Sequence, residues 1–179
     1  MIIKYREITM TYTLLELAGD IRAVLSRSEA SECCNDLCEI VFKALIDRDF
    51  VSTHLTDRVN GAEPREILFE DDKLKFCICG HVYSDQAISK PHDHGPSWAL
   101  YGQAEGTTEM TDWRVIKKGN GDEPSLVEPT RTYTMKPGDT QFYGIGNVHS
   151  PKRTAPTKIL RIEGTNLDYI VRSKITPTP

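Results

Sequence analysis

The stretch Lys90-Pro91-His92-Asp93-His94-Gly95-Pro96 decides the reading, together with its distant complement Gly138-Asp139-Thr140-Gln141-Phe142-Tyr143-Gly144-Ile145-Gly146-Asn147-Val148-His149. Two histidines one residue apart on an extended strand point both imidazoles to the same side, so His92 and His94 can reach one metal ion. Alone, that pair could share a face by chance. Gly138, Gly144 and Gly146 let the backbone turn tightly where a side chain would clash, and a strand after this turn would carry His149 toward a barrel interior. Three neutral imidazoles on one face leave coordination positions open. Structural metal sites are closed, so an open one suits catalysis. Imidazole suits iron, zinc, copper and nickel alike, and the ligand set does not choose the metal.

Outward from these motifs, the chain after Arg65 alternates short β-branched and aromatic runs with turn residues. Candidate strands are Glu66–Glu70, Lys73–Val82, Trp98–Ala104, Glu109–Ile116, Thr132–Met135, Thr140–Ile145, Lys158–Glu163 and Tyr169–Arg172. Asp71-Asp72, Gly119-Asn120-Gly121-Asp122 and Pro137-Gly138-Asp139 punctuate them as turns. Such spacing predicts a barrel or sandwich. Before Arg65 the period changes. Leu14, Leu15, Leu17, Ala18, Ile21, Val24 and Leu25 recur at helical spacing, as do Leu37, Ile40, Val41, Ala44 and Leu45. Ser28 and Ser31 are capping candidates for the second helix, and Asn60, Gly61 and Pro64 mark the break that follows. A pair of amphipathic helices over residues 1–62 is therefore expected to pack on a barrel formed by residues 63–175, in a single domain, with 176–179 frayed because its prolines cannot pair in a sheet.

The chain's 179 residues suit one domain. Its 22 Lys and Arg against 26 Asp and Glu leave a net charge of −4, which argues against nucleic acid or an anionic membrane as partner. No apolar run approaches the roughly 20 residues that cross a bilayer, and the N-terminus does not read as a signal peptide, so a cytoplasmic location is expected. The cysteines, Cys33, Cys34, Cys38, Cys77 and Cys79, form no CxxC pair and fit neither a disulfide framework nor a zinc knuckle. They read as packing residues, with Cys77 and Cys79 sharing one strand face near the barrel interior as the lesser alternative. His54 and His81 stand alone and are read as ordinary histidines. Trp98 and Trp113 read as core or wall aromatics.

The region from about Arg65 to Leu167 resembles the cupin superfamily and, within it, the thiol dioxygenases such as cysteine dioxygenase. His92, His94 and Gly106 match the first cupin motif, while Gln86 stands for its opening glycine and Trp98 and Ala99 occupy the two places open to its glutamate. Gly138, Gly146 and His149 match the second motif, with Gly144 in place of a proline and Arg153 in place of an asparagine. Three histidines without the motif glutamate are the pattern of the thiol dioxygenases. The resemblance implies a mostly β double-stranded β-helix, a jelly-roll-like barrel. It implies one divalent metal ion, with Fe(II) favoured and zinc or nickel as alternatives. The implied reaction adds O2 to a small anionic substrate, thiol in character. Cupins often pair, so a homodimer is a further expectation. The alternative is a non-oxidative cupin, a small-molecule binding protein or an isomerase using zinc or nickel as Lewis acid.

Other residues are candidates for the site. By position Arg65 matches the arginine with which that family clamps a substrate carboxylate, a geometry natural to guanidinium; the plainer reading is a surface arginine paired with Glu63 or Glu66. Arg161 and Glu163 replace the histidine and tyrosine of the family's Ser-His-Tyr triad. Either they face inward and make a differently polar site, with Arg161 a second candidate anchor, or both face outward. Ala99 stands where mammalian members carry a cross-linked cysteine. Tyr101, Gln103 and Glu105 share its strand face by period-two counting. One of them could line the pocket, and Glu105 is a conceivable fourth ligand or, more simply, a solvated strand end.

Overall fold

Thr13 starts the first helix with a reciprocal cap: its hydroxyl accepts from the Glu16 amide, and the Glu16 carboxylate accepts from the Thr13 amide. In the computed structural model, which describes residues 11–59, 62–120 and 122–178, this helix is α1 (Leu14–Leu25), followed by α2 (Cys34–Ile46) and α3 (Arg48–His54). Residues 1–10, Asn60-Gly61 of the break, Gly121 of the glycine-rich turn and Pro179 lie outside the described residues. Among the described residues three helices thus stand where a pair is expected. The cause is Asp47, whose extended backbone (φ −83°, ψ 104°) interrupts the run while its carboxylate accepts from the Asp49 and Phe50 amides and caps α3. Ser28 and Ser31 do not cap α2, which begins after Cys33 with no side-chain cap bond.

Among the described residues ten strands follow: β1 (Arg65–Glu70), β2 (Cys77–Tyr83), β3 (Ala87–Ile88), β4 (Ala99–Glu105), β5 (Thr108–Lys117), β6 (Ser125–Met135), β7 (Thr140–Tyr143), β8 (Val148–Arg153), β9 (Thr157–Glu163) and β10 (Ile175–Pro177). They form two five-stranded sheets, ordered β1-β2-β9-β4-β7 and β10-β6-β5-β8-β3. A coiled ribbon joins them. β4 pairs with β7 in the first sheet and β5 with β6 in the second, so the same two segments run side by side through both. They cross between sheets at Gly106 (φ 69°) and Gly138 (φ 93°), conformations that favour glycine. A Cβ on Gly106 would stand 2.4 Å from the Pro156 carbonyl oxygen. β8 and β9 repeat the crossing against β5 and β4. This is the double-stranded β-helix, mostly β, with a helical layer on one side.

Several elements differ from the expectations, each for a local reason. β6 begins well before Thr132, because Pro129, a natural strand breaker, sits at a bulge opposite Trp113. Lys73–Phe76 is not strand: a turn over 72–74 is closed on the Asp71 carboxylate by the Lys73 and Leu74 amides. Tyr169–Arg172 is not a strand: a 3₁₀ turn, Leu167–Tyr169, is capped there by Asn166. The tail is not frayed at Thr176 and Pro177, for β10 pairs in parallel with β6. The bonds that flank Pro177 come from other residues, Ser125 N to Lys174 O (2.8 Å) and Thr178 N to Val127 O (2.9 Å). Pro177 therefore turns its missing N–H away from the ladder, as an edge strand allows.

The first sheet is buried on both faces, and the alternation of side chains separates the two. Ile78, Val82, Leu100, Ala104, Leu160 and Ile162 pack with the helices against Leu17, Ile21, Leu37, Val41 and Phe50. The opposite face carries Ala99, Tyr101 and Ile159, which join Met110, Met135 and Tyr143 inside the barrel. On this inner face also lie Cys77, Cys79, His81, Gln103, Arg161 and Glu163, all buried. Buried polar groups on a barrel wall demand partners, and they locate the site. No helix among the described residues is long and apolar enough to cross a membrane.

Candidate metal centre and its pocket

Backbone pairing brings the distant histidines together. His92 and His149 exchange both amide-to-carbonyl bonds at 3.0 Å, an isolated antiparallel bridge. The HxH segment is thus extended but lies outside the named strands, and the Asp93 carboxylate pins it by accepting from the amides of Gly95 (3.0 Å) and Ser173 (3.1 Å). β8 carries His149 inward. One ring nitrogen each of His92, His94 and His149 lies within 4.8 Å of the others.

The outer nitrogens orient two of the rings. His92 Nδ1 lies 2.8 Å from the Lys90 carbonyl oxygen and His149 Nδ1 3.3 Å from that of Asn147. Carbonyls only accept, so each Nδ1 donates and each Nε2 keeps its lone pair for a metal. Tyr143 stacks on His149 with ring centroids 3.8 Å apart. Its hydroxyl is held by the Tyr133 hydroxyl (2.7 Å) and Asp112 (3.2 Å). Burial, opposed by the Lys90 carbonyl and aided by Arg172 and Arg161, lowers the His92 pKa to about 4. Burial, with Arg161 and the neighbouring histidines, holds His94 and His149 well below the usual histidine range. All three rings are therefore neutral near neutral pH, the form that binds metals. The donor set fits a divalent ion, and His92, His94 and His149 could hold one.

The other candidates are placed differently with respect to this triad. Tyr101 points its hydroxyl at the same nitrogens, 3.1 Å from His149 Nε2 and 3.4 Å from His94 Nε2. Arg161 and Glu163 face inward. The Arg161 guanidinium sits over the Tyr101 ring, 4.7 Å from its centroid; its Nε is 3.5 Å from Glu163 Oε1. Glu163 is fully buried and gripped by Arg65, through Nη2 (2.8 Å) and Nε (3.2 Å). Arg65 also bonds Asp168 (2.7 Å) and the Asn166 side chain (3.1 Å), so it pairs with neither Glu63 nor Glu66. Gln103 is buried and bonds Thr108. Glu105 is exposed, with Lys158 Nζ at 3.5 Å, away from the triad. Cys77 and Cys79 lie inside the barrel, where burial raises the Cys77 thiol to about 12 and pushes Cys79 up as well; neither is a thiolate near neutral pH.

A cavity of about 510 Å³ opens beside His92, lined by Tyr101, His81, Arg153, Arg161 and Arg172 among others. Three of these, His81, Arg153 and Arg172, are not among the site residues that the sequence suggests. His81, set aside as a lone histidine, is buried, with Nε2 3.9 Å from Glu163 and Nδ1 3.3 Å from the Tyr83 hydroxyl. Its alternation with Cys77 and Cys79 was the available signal. Arg153, noted only as a motif departure, shares a strand face with His149 by the same count and lies over the Tyr83 ring at 4.4 Å.

Neither a protein-family model nor a curated protein matches the sequence. Solved structures of cupin-superfamily proteins do resemble it. One, a cupin from Desulfitobacterium hafniense, is 15% identical over 58% of this chain and 81% of its own, with a TM-score of 0.41. A protein with a double-stranded β-helix domain from Klebsiella pneumoniae is 17% identical over 60% and 81%, with a TM-score of 0.42. The DMSP lyase DddQ from Ruegeria pomeroyi is 14% identical over 60% and 49%, with a TM-score of 0.43. Scores this low carry nothing about ligand or reaction.

Proposed function

We propose that the protein is a mononuclear metal enzyme of the three-histidine kind, with Fe(II) held by His92, His94 and His149, and that it adds O2 to a small anionic thiol. The observation that carries this reading is the convergence of three neutral imidazoles, with no carboxylate among them, one of which, His92, lines a cationic pocket. A closed structural site would surround its ion with protein ligands; this one faces a cavity. Iron, when bound, supplies the electron chemistry that O2 requires.

The chain's own residues do the rest. Arg161 anchors the acidic end of the substrate, a task for which Arg65 is poorly free because Glu163, Asp168 and Asn166 fill its fork. Glu163 in turn steadies Arg161. Tyr101 holds a proton at its hydroxyl, beside the ring nitrogens where the reaction would take place, and can donate it or take one up. Tyr143, stacked on His149, belongs with Met110 to the apolar cluster that fills the barrel interior. The overall change converts a thiolate and O2 to a sulfinate, with both oxygen atoms retained on sulfur. An oxygen electrode with iron-loaded protein and a panel of small thiol acids tests it. Uptake with at least one thiol supports the reading, and no uptake with any thiol removes it.

A second reading is favoured by Tyr101 specifically. A hydroxyl against the metal-facing nitrogens is also what an isomerase or lyase needs for proton transfer, with zinc or nickel as Lewis acid. Protein purified without added metal would then retain zinc or nickel and consume no O2.

A further inference from the structure

Resting on the reading of the pocket as an anion site, we infer that its ligand is a small dicarboxylate, one carboxylate received by Arg161 and the other by Arg153. Both guanidinium groups are deeply buried, Arg153 at 2% exposure and Arg161 at 6%. Arg161 Nε and Nη2 and Arg153 Nε are buried without a hydrogen-bond partner. Buried donors of this kind are rare in folded proteins and call for a partner, the more so when charged.

The charges do not balance. Among the described residues no carboxylate lies within ion-pair reach of Arg153. Arg161 has only Glu163 nearby, and that carboxylate is already held by the two-pronged grip of Arg65. Three guanidinium groups thus line the wall, and the two carboxylates nearest them, buried Glu163 and exposed Asp168, are both taken up by Arg65, which leaves Arg153 and Arg161 without a carboxylate of their own. Arg153 feels the proximity: burial and the nearby Arg161 lower its pKa, while Tyr83 and Tyr101 oppose them. Arg172 and Lys90 add positive charge at the exposed rim, partly offset by Glu63. Two cations that repel each other across a cavity accept a dianion better than two separate monoanions. Their planar forks suit carboxylates. The arginines stand on different strands, β8 and β9, each over its own tyrosine. They therefore receive the two ends of one molecule rather than a single anion.

Calorimetric titration of the 179-residue chain stripped of metal tests this without reference to any reaction. Succinate is expected to bind roughly tenfold to a hundredfold more tightly than butyrate, the gain from one extra charge-assisted contact. Arg153→Gln and Arg161→Gln should each bring succinate down to the butyrate level, while Arg153→Lys should retain part of the preference. Circular dichroism melts identify any variant that fails to fold; Arg153→Lys, which keeps the charge, then carries the test. Equal binding of succinate and butyrate, absence of binding by both, or sulfate binding as tightly as succinate would each overturn the inference. Its fate is separable from that of the metal reading. Succinate binding in a protein that takes up no metal leaves the dicarboxylate site standing alone, and O2 uptake with a monocarboxylic thiol but no succinate binding leaves only the oxygenase.

Discussion

Arg65 and Glu163 form a two-pronged ion pair, Nη2 at 2.8 Å and Nε at 3.2 Å, that ties the edge strand β1 to a carboxylate with no solvent exposure. Its role is therefore to hold a buried charge. Arg65→Ala is expected to destabilise the protein by about 3 kcal/mol, because it strands that carboxylate. In a Glu163→Gln background the same substitution should cost much less. Urea unfolding of the four proteins of this double-mutant cycle reads the coupling; an Arg65→Ala penalty that is the same in both backgrounds would show that the pair is not coupled.

Tyr101 is expected to matter for turnover rather than for metal content. Tyr101→Phe keeps the ring under Arg161 and removes only the hydroxyl that faces His94 and His149. Loss of a positioned proton donor typically lowers rate by about 10²-fold or more. Metal analysis and steady-state rates on the same preparation separate the two effects, and a variant with unchanged kcat would refute the role.

Much of this arrangement is legible in the sequence, and its limits have physical causes. The histidine triad is legible because strand alternation and glycine-permitted turns are local properties, carried by residues 90–96 and 138–149. The helical layer is legible from its period, although Asp47, a cap in the middle of an apolar pattern, hides the division of α2 from α3. Pro129 and Pro177 conceal strands, since a missing N–H is harmless at a bulge or on the outer side of an edge. Pairing of Arg65 with Glu163 is not legible at all. It depends on β1, β2 and β9 lying side by side, with Arg65 opposite His81 and Cys77 opposite Glu163, and sequence distance says nothing of that register. Arg153 and His81 could have been found by carrying the period-two count through β8 and β2.

Gly102 lies where side chains of α2 pack tightly against the sheet. A Cβ there would stand 2.7 Å from Val41 Cγ1, 3.0 Å from Leu45 Cδ1 and 3.2 Å from the Leu160 carbonyl oxygen. Gly102→Ala is expected to destabilise by about 1–3 kcal/mol through overpacking, lowering the melting temperature by several degrees with no change in metal affinity. A neutral or stabilising result would mean that the helical layer is not packed as described.

The triad also predicts a pH dependence. His92 titrates at about 4 in the folded chain, and His94 and His149 lie below their ordinary value, against about 6.5 for an unfolded histidine. The unfolded chain therefore binds more protons between those values, so stability is fully present above about pH 6.5 and is lost as pH falls toward 4. Melting temperatures of metal-free protein across this range should fall with acid. Proton NMR should place the His92 midpoint near 4; a midpoint near 6.5 would contradict the buried, neutral triad.

The most direct test is equilibrium dialysis of the purified protein against Fe(II) without oxygen, followed by elemental analysis, for the native chain and for His92→Ala, His94→Ala and His149→Ala. Convergence of the three rings predicts close to one ion per native chain and almost none in any single variant. A native chain that binds no ion, or variants that bind as well as the native chain, would contradict it.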